Sequence, residues 1–129
     1  MLTMVQNYLE DQSSLLVQSI QPLVNIIRSQ PSNTSDIKAY VSQISQAVDD
    51  IRLRSNDAID FARNEALNKH APPVVGVLED CRQGLQESRQ DTMPGFAFRI
   101  ARGMKELILR VERIENGELT ESMEAPIEV

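Results

Sequence analysis

The feature that most constrains this chain is an apolar stripe on the segment 97–114. Its members are separated alternately by 3 and 4 residues: Ala97, Ile100, Met104, Leu107, Val111 and Ile114. This heptad spacing puts all of these side chains along one seam of a helix. Ala101 and Ile108 widen the seam on one side, as a helix that faces a bundle core requires. The segment is therefore predicted to be a core-facing helix, the fourth of the chain.

Three earlier segments carry similar stripes. The first covers 2–29 and keeps its phase across Pro22, which predicts one kinked helix rather than two (Leu2, Val5, Leu9, Leu16, Ile20, Leu23 and Ile27). The second begins near Asp36, after a polar loop (Ile37, Val41, Ile44, Val48, Ile51, Ala58 and Ala62). Two continuations of this second helix fit the sequence: it runs on to about Lys69, or it breaks near Asn64.

The third helix is predicted after Pro72-Pro73, because proline is suited to the first helical turn. Its apolar stripe is narrow (Val74, Leu78, Cys81 and Leu85). Gly76 and Gly84 lower the stability of this helix. A turn is predicted at 91–95, and Asn116-Gly117 is a C-terminal stop for the fourth helix. The acidic remainder, 118–129, is expected to be disordered.

Helices joined by short connections pack as antiparallel neighbours. The predicted fold is therefore all-α, an antiparallel up-down-up-down four-helix bundle over residues 1–117 followed by the tail 118–129. A chain of 129 residues most simply forms one domain. We expect it to be a module of a longer protein.

The composition argues against most kinds of chemistry. A net charge of −6 and a pI of about 4.8 disfavour nucleic-acid binding. One His and one Cys cannot form a zinc or di-iron ligand set, and no phosphate-binding or nucleophile motif occurs. His70 is expected in a loop before Pro72, and Cys81 as a small buried apolar residue of an intracellular protein. We therefore expect no enzyme, catalytic residue, metal or cofactor.

Helix one has a second, weaker apolar stripe beside its main one. Its members are Tyr8, Leu15 and Ile26, with Ser19 and Pro22 between them. Two interpretations are open. Helix one is the most buried helix of the bundle, or the second stripe forms one wall of a groove.

Helix four has a second stripe that mixes apolar and basic side chains: Phe98, Arg102, Lys105, Leu109 and Arg113. Lys and Arg stems cover apolar surface while their charges stay in water. Such a face suits the docking of an acidic amphipathic helix. The alternative is a solvated basic face with one isolated Leu.

The sequence resembles a known family. The segments Tyr8-Leu9-Glu10, 16–24 (LVQSIQPLV) and 26–29 (IIRS) are similar to the first helix of the C-terminal domain of GIT-type ARF GTPase-activating scaffolds. They are more similar still to fungal polarisome scaffolds of the Spa type. The resemblance continues through an Ile-Val-rich second helix, a third helix with Cys81-Arg82 and a basic fourth helix, over about 2–114.

This resemblance implies a focal-adhesion-targeting-like bundle of a non-enzymatic, cytoplasmic scaffold at cortical sites of polarised growth. It also implies that short, acidic, leucine-rich helices bind between helices one and four. We therefore expect the partner-binding residues to be Tyr8, Leu15, Ile26, Phe98, Arg102, Lys105, Leu109 and Arg113. The isolated domain is expected to be monomeric, to bind no nucleic acid and to have no integral membrane association. The alternative is a structural homodimerisation bundle with no peptide ligand.

Overall fold

The computed structural model describes residues 3–123, and all of the secondary structure in this range is helical. The helices are α1 (Thr3–Ser29), α2 (Thr34–Ala62), α3 (Glu65–His70), α4 (Pro72–Glu87) and α5 (Met93–Glu115). One 3₁₀ turn, Gln90–Thr92, precedes α5. The four long helices coincide with the four apolar stripes, so the prediction of an all-α fold is confirmed.

The long helices surround one apolar core. α1 packs against α2 and α5, and α4 packs against the same two helices. The stripe of α5 lies within this core, since its side chains are between 0% exposed at Ala97 and 9% exposed at Ile114. Each fully buried Leu or Ile contributes about 1.5–3 kcal/mol by leaving water. The heptad pattern therefore marks the interior face of α5 correctly.

The helices follow the predicted stripes, and their first residues are determined by local caps and prolines. α1 runs through Pro22 without interruption, as its stripe predicts. α2 begins at Thr34 because the Asn33 side chain accepts a hydrogen bond from the Asp36 backbone N–H, at 3.3 Å. α5 begins at Met93, so the predicted turn at 91–95 is shorter than expected, and Pro94 fills its first turn.

The second helix does not reach Lys69. α2 ends at Ala62, and Arg63 adopts a left-handed backbone conformation with φ of 49°. Asn64 then starts α3, because its side chain accepts a hydrogen bond from the Leu67 backbone N–H at 3.0 Å. Of the two continuations that fit the sequence, the break near Asn64 is the one found.

Polar side chains connect α1 to α2 at two levels. The Arg54 guanidinium lies over the Tyr8 ring, 5.4 Å from its centre. Eleven residues further along α1, the Ser19 hydroxyl donates a hydrogen bond of 3.2 Å to the Gln43 side-chain carbonyl, eleven residues earlier on α2. These contacts set the register of the two helices.

An ion-pair group connects α2 to α4. Arg82 pairs with Glu79 on its own helix and lies 3.6 Å from the Asp49 carboxylate of α2. Arg52 of α2 lies 3.7 Å from Glu79. The hydrogen bond from Arg82 lowers the pKa of Glu79 and raises that of Arg82. Pairs as exposed as these contribute little to stability, so their effect is mainly on register.

The tail prediction needs correction for the first residues after α5. Leu119 is 4% exposed and belongs to the core, although 118–129 was expected to be disordered. The Glu118 and Leu119 backbone N–H groups both donate to the Arg113 carbonyl, at 2.8 and 3.1 Å. The chain therefore turns back onto the bundle after Gly117, because one apolar side chain and capping hydrogen bonds outweigh the acidic composition. Residues 124–129 lie outside the described residues.

Candidate functional site

The outward face of α5 is exposed, as its sequence pattern predicts. Phe98 and Leu109 are 48% and 50% exposed, and Arg102, Lys105 and Arg113 are also exposed. These residues lie on the side of α5 opposite its buried stripe, because successive helical residues are about 100° apart. We call these five residues the α5 face.

The α5 face is positively charged although the whole chain is acidic. α5 contains five basic and three acidic residues, in a chain of net charge −6. Glu106 is engaged by Arg110, whose Nε donates to its Oε1 at 3.0 Å. Arg113 lies 3.9 Å from Glu118, with both side chains at least half exposed. The positive charge near Phe98 and Leu109 therefore comes mainly from Arg102 and Lys105.

The three α1 residues predicted for the same groove lie elsewhere. Tyr8 borders a depression together with Arg54 and Ala58 of α2, and Leu15 borders another with residues of α2. Ile26 is half-buried and lies two helical turns after Ser19, on the same side of α1. The second stripe of α1 therefore faces α2.

The predicted groove between helices one and four is corrected accordingly. The structure does not bring Tyr8, Leu15 and Ile26 together with the α5 face. The physical reason is the direction of the second stripe: Tyr8 precedes the buried Leu9 by one residue, which turns it toward α2. The interpretation of helix one as the most buried helix is also wrong, because α1 has five buried residues and the shorter α5 has eight.

Tyr8 is partly buried at this boundary. Burial raises the pKa of its hydroxyl, while the neighbouring Arg54 charge opposes that shift. The hydroxyl is inaccessible to water and makes no hydrogen bond within residues 3–123. The Tyr8 ring, rather than its hydroxyl, is therefore what this part of the surface offers to a partner.

A buried arginine is the polar feature that sequence reasoning missed. Arg110 is 1% exposed, and its Nη1 donates to the His70 carbonyl at 2.8 Å. His70 is fully buried rather than in a loop, and its Nε2 donates to the Thr120 carbonyl at 2.7 Å. The Lys69 ammonium donates to the Glu121 carbonyl, also at 2.7 Å. These bonds attach the segment after α5 to α3.

A signal for this cluster exists in the sequence. Arg110 directly precedes Val111 of the buried stripe and follows Glu106 by one helical turn. This spacing predicts an Arg–Glu ion pair at the edge of the core. The arrangement is structural, since it satisfies a carbonyl at the α3–α4 junction and a buried guanidinium together.

The thiol of Cys81 lies in the interior of the bundle. Cys81 is 7% exposed, and burial raises the pKa of its thiol. Within residues 3–123, no three His, Cys, Asp or Glu side chains gather in a way that could hold a metal ion. The helices of this part of the chain do not combine the length and apolar character needed to cross a membrane.

Comparisons with family models, with curated proteins and with solved structures find no match to this chain. Its function therefore has to be argued from its own residues. The features that need an explanation are two exposed apolar surfaces: the α5 face and the boundary between α1 and α2.

Proposed function

We propose that the chain is an antiparallel up-down-up-down bundle that acts as a non-enzymatic protein-interaction module. The contacts Tyr8–Arg54 and Ser19–Gln43 support an antiparallel arrangement of α1 and α2. From the first contact to the second, the residue number rises by eleven on α1 and falls by eleven on α2.

The remaining neighbours follow the same rule. Between α2 and α4, Asp49 meets Arg82 and Arg52 meets Glu79. The second contact is three residues later on α2 and three residues earlier on α4. The contacts between α4 and α5 also indicate antiparallel packing. His70, just before α4, meets Arg110 near the end of α5, and Gly84 near the end of α4 meets Phe96 near the start of α5. Packing of α1 against α5 closes the ring.

The proposed ligand is a short, acidic amphipathic helix of a partner protein, bound on the α5 face. The observation that carries this proposal is the half-exposed pair Phe98 and Leu109, eleven residues apart on one face with Arg102 and Lys105 between them. Eleven residues are about three turns, so one helical partner can contact both apolar side chains. Its carboxylates meet the basic side chains and increase the rate of encounter, while the apolar contacts hold the complex.

The cellular setting is proposed from the resemblance alone. The similarity of 8–29 to GIT-type and Spa-type scaffolds supports a cytoplasmic cell-polarity scaffold located at cortical sites of polarised growth. In that setting the module links partners that carry acidic leucine-rich helices.

The test uses two synthetic peptides of about 16 residues that share one leucine stripe. The polar face is glutamate in the Glu peptide and lysine in the Lys peptide. We expect the Glu peptide to bind the full chain, measured by fluorescence anisotropy, with affinity that falls as salt increases. Arg102→Glu combined with Lys105→Glu should weaken binding at least tenfold and flatten the salt dependence, because these charges act through solvent.

The matched control reverses basic side chains elsewhere on the surface. Arg28→Glu combined with Lys38→Glu changes the net charge by the same amount at exposed positions of α1 and α2. It should affect binding less than the α5 pair does. Equal losses for both pairs would show that only net charge matters. A stable dimer of the unliganded chain that Leu109→Asp dissociates would favour the homodimerisation alternative.

A further inference from the structure

A second exposed surface runs along the boundary between α1 and α2. One open depression of about 320 Å³ is bordered by Met4, Tyr8 and Asp57. Another, of about 640 Å³, is bordered by Leu15 and Asp50. The two follow each other along the same pair of helices. We call the surface defined by these five residues the α1/α2 groove.

The groove has the dimensions and the apolar content of a helix-binding site. From Met4 to Ser19 it follows α1 for about 23 Å, the length of a four-turn helix. Met4 is 84% exposed and Leu15 is 51% exposed. At the α2 end, one turn after Ala58, Phe61 is 91% exposed. Large apolar side chains this exposed along one line mark an interaction surface.

The charge of the groove is opposite to that of the α5 face. Asp50 and Asp57 are exposed and lie two turns apart on the same side of α2. Asp11 is exposed one turn before Leu15 on α1. The cation bordering the groove, Arg54, is held over the Tyr8 ring.

Asp49 and Asp50, although adjacent in sequence, face different surfaces of the bundle. Asp49 turns toward α4, where it lies 3.6 Å from Arg82, and it also pairs with Arg52 of its own helix. Asp50, one residue later, forms no ion pair within residues 3–123 and accepts a hydrogen bond of 3.2 Å from the neutral Gln46 Nε2. The carboxylates facing the groove are therefore available to a cationic partner.

We propose that the α1/α2 groove binds a basic amphipathic helix of a partner protein, about four turns long. Its apolar stripe covers Met4, Tyr8 and Leu15, and its Lys or Arg side chains meet Asp50 and Asp57. An acidic helix is disfavoured because like charges would face each other on an acidic chain. The bundle then presents two docking surfaces of opposite charge, and this one does not depend on the α5 face.

The experiment titrates the Lys peptide into the full chain. We expect it to bind, and we expect Leu15→Ser to weaken binding at least tenfold, since the groove loses one of its apolar anchors. Asp50→Lys combined with Asp57→Lys should weaken binding by a similar factor and reduce its salt dependence. Circular-dichroism melts of each variant should match the wild type, because all three side chains are exposed.

The chain offers a matched control for Leu15. Val17 is 42% exposed and lies two residues after Leu15, which places it on the opposite side of α1, away from the groove. Val17→Ser should leave the affinity for the Lys peptide unchanged. Equal affinities for wild type, Leu15→Ser and the charge-reversed variant would overturn the proposal, and so would a complete lack of binding.

Two further outcomes would reassign the groove. Loss of Lys-peptide binding in Leu109→Asp would place the peptide on α5 instead. Self-association of the free chain in sedimentation velocity, abolished by Leu15→Ser, would show that a second copy of the chain occupies the groove. Binding of the Glu peptide and its loss in Leu109→Asp are measured separately, so this proposal and the proposed function fail independently.

Discussion

The two glycines of α4 predict opposite effects of the same substitution. Gly76 is exposed, and a Cβ added there would meet no atom within 4 Å. A Cβ at Gly84 would collide with the ring of Phe96 on α5, with two ring carbons at 2.7 Å. Because real Cβ contacts are longer than this, the Phe96 ring has to move when Gly84 becomes alanine.

The magnitudes follow from two opposing terms. Alanine in a helix interior is about 0.5–1 kcal/mol more stable than glycine, so Gly76→Ala should stabilise the fold by that amount. Overpacking of a contact costs about 1–3 kcal/mol. Gly84→Ala should therefore be destabilising by up to about 2 kcal/mol, with a melting temperature several degrees below the wild type.

The assay is urea unfolding of both variants with a shared m value. Combining Gly84→Ala with Phe96→Leu should recover part of the loss, because the smaller side chain vacates the space and the two sites are coupled. If Gly84→Ala stabilised the chain as much as Gly76→Ala, the close packing of α4 on α5 would be refuted.

Three other predictions concern the core and the tail. Cys81 should react with thiol reagents only as the chain unfolds, because burial both shields the thiol and raises its pKa; rapid native labelling would place α4 elsewhere. Leu107→Ala should cost about 2–5 kcal/mol, whereas Leu109→Ala should change stability by no more than about 0.5 kcal/mol, measured by urea unfolding. Hydrogen bonding to the Glu65 carboxyl raises the pKa of Glu121, so this contact favours the folded tail at low pH and is lost as pH rises through that pKa. Glu121→Gln should therefore flatten the acid side of the pH–melting curve, and an unchanged curve would contradict the pairing.

Much of the fold follows from periodicity because burial of apolar stripes dominates helix packing. The α5 stripe and the in-phase continuation of α1 across Pro22 are both reproduced, and Leu109 is exposed as its position off the stripe predicts. The break after Ala62 was one of two alternatives. It depends on a left-handed Arg63 and an Asn64 cap, and apolar spacing alone does not reveal either.

The candidate site was harder to predict, because it depends on which helices are neighbours. The sequence identifies the second stripes of α1 and α5 but not the directions in which they face. Tyr8 faces α2, so the stripes form separate surfaces rather than one groove. Arg110, at the edge of the α5 stripe, is buried through contacts with His70 and Glu106, and the His70 contact joins residues forty positions apart.

We propose that the α5 face binds an acidic amphipathic helix through Leu109, an apolar side chain that the core does not need. The most direct measurement is a titration of the Glu peptide into wild type, Leu109→Asp and the equally exposed control Leu53→Asp, with a melt of each. We expect all three chains to melt alike, wild type and Leu53→Asp to bind equally, and Leu109→Asp not to bind. A folded Leu109→Asp chain that binds the Glu peptide as tightly as Leu53→Asp does would contradict this proposal.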